Sequence, residues 1–274
     1  MSKIGLVFSG GGSCGAYQIG FWKALREYGA EQNVIALSGS SVGSLNALLF
    51  ANGDLRLAES IWKKLKWTDL FRLRSFWDAK GLFSQTGYAR LIDRIVADWE
   101  KLRRGMPIYS CVSVLDDERH IDLKRREAGR PEYILLNELD HRKMKNTVLA
   151  STAMPYIYPH RHVRGKLCID GDFSDKTPYL PLADLGCDCI IVLHLNSVEE
   201  ASHRRLESDE DRVPGTEIKL CHLYPEKSLG NFLAVSKALT LERMKKGYRE
   251  GMQFCVKELS PSTHEKCVKE NRPL

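Results

Sequence analysis

Two short stretches of this chain carry residues whose types and spacing can do chemistry. Gly39-Ser40-Ser41-Val42-Gly43 is a Gly-x-Ser-x-Gly pentapeptide between an apolar run, Val34-Ile35-Ala36-Leu37, and a small-residue segment over 44–51. A sharp strand-to-helix turn crowds its own backbone, and glycines two residues either side of the serine relieve that crowding. Ser41 Oγ would then project from the end of a sheet, near the positive end of a helix dipole, as a nucleophile must. Ser40 and Ser44 read as structural, with Ser40 at a capping position. Upstream, Gly10-Gly11-Gly12-Ser13-Cys14-Gly15 also sits between a strand-like run and a helical pattern. Its spacing matches a dinucleotide loop, but no carboxylate ends the second strand, and no Walker Lys-Ser/Thr follows Gly15. Closely spaced amides at a helix start can instead hold an anion, either a phosphate or the oxyanion of acyl transfer.

A serine nucleophile needs a base. In the usual hydrolase the chain order is Ser, acid, His. Of the histidines after Ser41 (120, 141, 160, 162, 194, 203, 222 and 264), only His203 falls in a loop after a late strand. His160 and His162 have no third ligand to make a metal site, and His194 and His222 alternate within strands as core residues do. The remaining feature is Asp170-Gly171, directly after a short strand over 166–169.

The elements that position these groups follow from periodicity. Residues 3–8 read as a buried strand. Ile19, Trp22, Leu25 and Tyr28 mark a helix over 16–28, which Gly29 ends. Strand–turn–helix occurs twice in the first 51 residues, the opening of an α/β fold with a largely parallel sheet. Further on, 55–104 reads as helical, aromatic and basic, and 107–124 as two strands around Asp116-Asp117. Residues 140–153 read as a helix, 189–195 and 218–224 as strands, 199–215 as a charged loop, and 233–258 as a closing helix. No linker separates two cores, so residues 1–260 read as a single domain, with a polar tail over 261–274.

With 274 residues, 43% hydrophobic and 28% charged, the chain can bury a sizeable core, which excludes a disordered class. No apolar run approaches the roughly 18 residues of a membrane span, and the first apolar run is too short for a signal-peptide core. The eight cysteines lack metal spacing and read as small buried hydrophobes of a reducing, cytoplasmic compartment. A net charge of +6 favours approach to anionic surfaces.

Taken together, the motifs resemble those of the patatin-like phospholipases. Residues from Phe8 to Gly20 are similar to that family's oxyanion block, and Gly39 to Ala47 to its nucleophile block. Ala150-Ser151-Thr152-Ala153-Met154-Pro155 is similar to its Ala-Ser-x-Ala-x-Pro helix end, and Ile169-Asp170-Gly171 to its Asp-Gly block. Leu229-Gly230-Asn231-Phe232-Leu233 and Lys246-Gly247-Tyr248 echo its C-terminal part. The resemblance implies a three-layer α/β/α fold with a mostly parallel central sheet. It also implies a Ser–Asp dyad without histidine, with Ser41 as nucleophile and Asp170 as base. Gly10, Gly11, Gly12, Ser13, Cys14 and Gly15 would form the oxyanion hole. An ordinary aspartate, with a pKa of about 3.9, is a weak base for a serine, and burial would raise it toward a useful value. Two departures stand out. Cys14 stands where many members of that family carry Arg or Lys, which removes a positive charge near the oxyanion loop. Asp172 replaces a small residue, which makes it a candidate modulator of Asp170.

The implied activity is hydrolysis of lipid acyl esters (phospholipase A, lysophospholipase or esterase) with no metal and no cofactor. The alternatives are an acyltransferase using the same dyad, a non-catalytic lipid-binding or regulatory protein, and a nucleotide-binding module. Partners would be a phospholipid or other acyl-ester substrate, with no nucleic acid, and the oligomeric state stays open. Over residues 62–80, three tryptophans and two phenylalanines interleave with six cations. That is either a peripheral membrane contact and lid, or a cap whose aromatics are core.

Overall fold

The computed structural model describes residues 2–73, 81–116, 129–200 and 211–260. Its strands are β1 (Ile4–Phe8), β2 (Val34–Ser40), β3 (Arg72–Leu73), β4 (Phe83–Ser84), β5 (Ile108–Leu115), β6 (Arg130–Leu135), β7 (Arg161–Val163), β8 (Lys166–Asp170), β9 (Cys189–Leu193) and β10 (Lys219–Leu223). Its helices are α1 (Ala16–Tyr28), α2 (Val42–Asn52), α3 (Leu55–Lys64), α4 (Trp67–Leu70), α5 (Thr86–Ile95), α6 (Trp99–Arg103), α7 (His141–Ser151) and α8 (Lys237–Glu258). Eight strands form one sheet in the order β10-β9-β1-β2-β5-β8-β7, with β6 also paired to β5. The pairs from β10 through β5 are parallel, while β6, β7 and β8 pair antiparallel. The sheet is therefore mostly parallel, as the motifs imply.

Side chains alternate across the sheet because successive Cβ atoms point to opposite faces. Leu6 and Phe8 of β1 join Ile191 and Leu193 of β9 in a large core that takes in residues of α1, α2, α3, α7 and α8. Val7, Ile190, Val192 and Leu220 face the other way, into a smaller core covered by Leu182, Cys187 and Val213. Leu182 belongs to a 3-10 turn, Leu180–Leu185. Helix α2 has no charged residue and is buried at every position from Val42 to Phe50, so it runs through the interior. Side-chain caps start the peripheral helices: Asp54 accepts from the Leu57 amide, Asp140 from Lys143 and Ser236 from Leu239. The seven described cysteines are free and buried; Cys267 lies outside the described residues.

Two strand expectations shift. β2 continues through Ser38-Gly39-Ser40, small residues that look like a turn in the sequence but fit between β1 and β5. β5 runs as a single strand to Leu115, and its antiparallel partner β6 comes later, at 130–135. Residues 117–124 of the expected second strand lie outside the described residues, as does the tail over 261–274.

One feature of the register positions the site. β6 pairs with β5 over Tyr109–Val114, which occupies one whole edge of that strand. β2 and β8 must therefore share the other edge. β2 takes the first half, ending with Ser40 opposite Cys111, and β8 takes the second half, with Asp170 opposite Val112. The two strands run toward one another, so their carboxyl ends meet.

Candidate active site

Ser41 turns the chain from β2 into α2 with φ 53° and ψ −125°. A residue with a side chain held there costs about 1–3 kcal/mol and persists only where its surroundings over-determine it. The flanking glycines allow that. A Cβ on Gly43 would lie 1.9 Å from the Phe8 carbonyl oxygen, so β1 packs directly on the elbow. The Ser41 amide donates to Ser151 Oγ at 2.9 Å, at the end of α7. Ser44 Oγ lies 2.9 Å from the hydroxyls of both Ser110 and Ser151, and donates to the Gly39 carbonyl. Ser40 caps nothing: Ser41 occupies the N-cap position, and Ser40 Oγ is buried without a partner among the described residues.

The Ser41 hydroxyl donates to Asp170 Oδ2 at 2.8 Å. Ser41 is 8% exposed and Asp170 1%. Three backbone contacts hold the aspartate. Its amide donates to the Ala153 carbonyl at 3.0 Å, its carbonyl accepts from Ser113 Oγ at 2.7 Å, and its Oδ1 accepts from the Asp172 amide at 2.9 Å. The Asp172 carboxylate itself points elsewhere, against Gly10.

The glycine turn is a 3-10 turn, Gly12–Gly15, leading into α1. Of the six expected oxyanion residues, Gly15 lies at the end of the 3-10 turn and three others have amides committed elsewhere. Gly10 donates to the Lys176 carbonyl, Ser13 to Phe232 and Cys14 to Gly11. Among the described residues, the amides of Gly11 and Gly12 donate to no backbone carbonyl. Both residues have positive φ, 152° and 56°, which lets the turn present consecutive N–H groups. Asn46 of α2 ties this turn to the elbow, donating to the Gly15 carbonyl at 3.0 Å and to Gln18 Oε1 at 2.7 Å.

Gly11, Gly12, Ser41 and Asp170 border one cavity of about 440 Å³. Its walls are largely apolar (Leu70, Phe71, Met154, Ile157, Leu195, Phe232), with Asp172, Lys176, Asn196 and Glu200 also lining it. That size and lining suit an organic ligand with a long apolar part. Tyr88 and Tyr158 also line it. Burial pushes both phenols well above their usual range, helped at Tyr88 by the Asp170 charge and at Tyr158 by Tyr88 and then Asp170, so they remain neutral hydroxyls. Burial likewise raises the Cys14 thiol, against the opposing pull of Arg243 and Lys176. None of the described histidines borders the cavity. His194 Nε2 and His222 Nδ1 lie 2.8 Å apart in a contact of their own. His120, His203 and His264 lie outside the described residues. No cluster of metal-ligating side chains occurs among the described residues.

The aromatic–basic stretch divides. Trp62 is buried and donates to Asn46 Oδ1 at 3.0 Å. Phe71 is buried on the cavity wall, while Trp67 stacks on it and is 44% exposed. Phe76 and Trp77 lie outside the described residues. Among the described residues, no helix is long and apolar enough to cross a membrane. Sequence reasoning missed the supporting roles of Ser110, Ser113 and Ser151, as well as Arg243 on α8, which bonds to the turn through Ser13. Only Ser151 carried a signal, in the Ala-Ser-x-Ala-x-Pro segment.

Known proteins resemble this arrangement in sequence and in fold. Lysophospholipase NTE1 of Cryptococcus neoformans is 26% identical over 210 residues, which is 74% of this chain and 12% of the fungal protein. A patatin-like phospholipase domain-containing protein of Caenorhabditis elegans is 27% identical over 237 residues, 82% of this chain and 16% of the worm protein. The chain thus spans a small part of the length of these relatives. Among solved structures, VipD from Legionella pneumophila aligns with a TM-score of 0.55 at 14% identity, over 93% of this chain and 67% of VipD. Human GIVD cytosolic phospholipase A2 aligns with the same TM-score at 11% identity, over 93% of this chain and 61% of its own. At those identities the likeness is one of fold. The sequence profile of the patatin-like phospholipases matches residues 6–183, and the chain belongs to that family.

Proposed function

We propose that this protein is a serine lipid acyl hydrolase working through a Ser41–Asp170 dyad. The observation that carries this reading is the 2.8 Å bond from Ser41 Oγ to a buried carboxylate, at the wall of an apolar cavity. Asp170 accepts the Ser41 proton as Oγ attacks the ester carbonyl. The carbonyl oxygen becomes an oxyanion facing the amides of Gly11 and Gly12. As the C–O bond breaks, Asp170 passes the proton to the departing alkoxide, leaving an acyl-enzyme on Ser41. Water enters, Asp170 takes its proton, and the acid is released as Ser41 is reprotonated. No step calls on a histidine or a metal, so chelator leaves the rate unchanged. The substrate class is a fatty-acyl ester, with lysophospholipid supported by the fungal relative's name, and residues 1–260 act as one unit.

We place the membrane contact on α3, α4 and α5. Lys64, Arg72, Arg90 and Arg94 surround a second cavity of about 690 Å³ with Trp67, Leu73 and Phe83 in its walls. Phe71 borders both this cavity and that of Ser41, so a lipid leaving a bilayer there would pass this shared wall to reach the Ser41 cavity.

The test is mass spectrometry after treatment with a fluorophosphonate. A single adduct on Ser41 is expected, absent in Ser41→Ala and strongly reduced in Asp170→Asn. An unlabelled but folded wild-type protein overturns the reading. Product analysis with added alcohol separates hydrolysis from acyl transfer, because transfer would yield the new ester in place of free acid.

A further inference from the structure

Arg243 is 3% exposed, and among the described residues no carboxylate lies within ion-pair distance of it. Burying an arginine without a carboxylate is costly unless hydrogen-bond acceptors compensate its lost hydration. Its acceptors all belong to the back of the oxyanion turn or to the loop behind it. Nε donates to the Leu229 carbonyl at 3.0 Å and Nη2 to Asn231 at 3.0 Å. Nη1 donates to Ser13 Oγ at 2.8 Å and to the Ala234 carbonyl at 3.2 Å. The same loop takes the Ser13 amide on the Phe232 carbonyl at 2.8 Å, and that carbonyl sits where a Cβ on Gly12 would be, 2.6 Å away. Cys14 completes the arrangement: its Sγ lies 3.8 Å from the Gly230 carbonyl, and its thiol feels the Arg243 charge.

Resting on the hydrolase reading above, we propose that Arg243 is the positioning residue of the oxyanion hole. It fixes the loop at 229–234 against Gly12 and Ser13, and so aims the Gly11 and Gly12 amides. Its charge stands behind the turn on which negative charge develops. The positive charge that position 14 lacks is supplied from α8, and a small Cys14 beside Gly230 leaves room for it. A group of this kind acts on the tetrahedral oxyanion and leaves ground-state binding alone.

The experiment compares Arg243→Lys and Arg243→Met with wild type in three readouts. These are kcat/KM on a p-nitrophenyl acyl ester, inhibition by an alkyl trifluoromethyl ketone, and binding of a non-hydrolysable ether lipid. The ketone forms a tetrahedral oxyanion on Ser41, so its affinity reads the hole at equilibrium. Loss of one direct donor from such a hole costs about 10²–10³ in kcat. Arg243→Met is therefore expected to lose on the order of 100-fold and Arg243→Lys on the order of 10-fold, equally in kcat/KM and ketone affinity. Ether-lipid binding stays within about twofold. A folded variant that keeps ketone affinity, or that loses ether-lipid affinity in proportion, overturns the proposal. If Arg243→Met does not fold, Arg243→Lys decides by the same comparison. A wild-type protein that takes no fluorophosphonate on Ser41 overturns the hydrolase reading and this one with it. An active wild type with unaffected variants overturns this one alone.

Discussion

Asp172 puts a second carboxylate on the cavity wall, and the backbone separates its two effects. Its amide serves Asp170, a bond that any side chain at 172 preserves. Its Oδ1 is buried without a hydrogen-bond partner among the described residues, against Gly10 at the start of the glycine turn. A negative charge there opposes a developing oxyanion by about 1 kcal/mol for a separation of about 8 Å and an effective dielectric of about 40. Asp172→Asn is therefore expected to raise kcat/KM on a soluble aryl ester about fivefold, with the melting temperature unchanged or higher. A lower rate in folded protein would mean that the carboxylate contacts substrate. Ser151 is the opposite case, a neutral group with a positional task. Ser151→Ala leaves the Ser41 amide without its acceptor and interrupts the Ser44–Ser110–Ser151 hydroxyl cluster. An orphaned buried donor costs about 1–3 kcal/mol. Thermal denaturation should register that loss, and ester hydrolysis should fall through kcat at little change in KM.

At the scale of elements, the Ser41–Asp170 contact depends on how strands are shared out along β5. Ser41 and Asp170 are far apart in the chain, and nothing local brings them together. Their meeting follows from β2 and β8 dividing one edge while β6 fills the other. That division was not legible in the sequence, because nearly continuous burial of β5 erases the alternation that would mark its ends. β6 was missed for a related reason: it opens with an exposed arginine and proline, Arg130-Pro131, before the half-buried Glu132. By contrast, α1 was legible to the residue, since its apolar spacing and the αL glycine at 29 are local signals. Ser41 and Asp170 could be singled out as candidates because each sits at a short, glycine-marked turn. Arg243 was not, because a lone arginine in a charged helix gives no sign of facing inward. Helix α8 reaches the turn only because it packs backbone to backbone on α1. A Cβ on Gly247 would lie 2.0 Å from the Tyr17 carbonyl oxygen. Gly247→Val must push the helices apart, straining the buried Tyr17 OH to Glu250 Oε2 bond of 2.9 Å. Overpacking of this kind costs about 3 kcal/mol, and a denaturant titration should show it as a lower midpoint. A midpoint equal to wild type would mean that α8 slides without cost.

For the whole molecule, the decisive relation is between the two cavities and the surface that holds the second one. Among the described residues, its lining has Lys64, Arg72, Arg90 and Arg94 against a single carboxylate, Asp69. Trp67, Leu73 and Leu82 are exposed nearby at 44%, 76% and 64%, although single exposed hydrophobes are ordinary on any surface. What makes them informative is the company of cations and the shared wall at Phe71. Each basic residue close to an anionic bilayer contributes about 1 kcal/mol, and aromatic side chains settle at the headgroup level. Reversing two of the charges, Arg90→Glu with Arg94→Glu, should then weaken co-sedimentation with vesicles containing phosphatidylserine by on the order of 100-fold. Pure phosphatidylcholine vesicles should bind weakly in both proteins, and raised salt should erase the difference through screening. Hydrolysis of a soluble p-nitrophenyl ester should stay at the wild-type rate, because neither arginine borders the Ser41 cavity. Hydrolysis of vesicle lipid should fall in step with binding. Vesicle binding that ignores both the charge reversal and the salt would place the docking face elsewhere and leave the second cavity as packing between α3, α4 and α5.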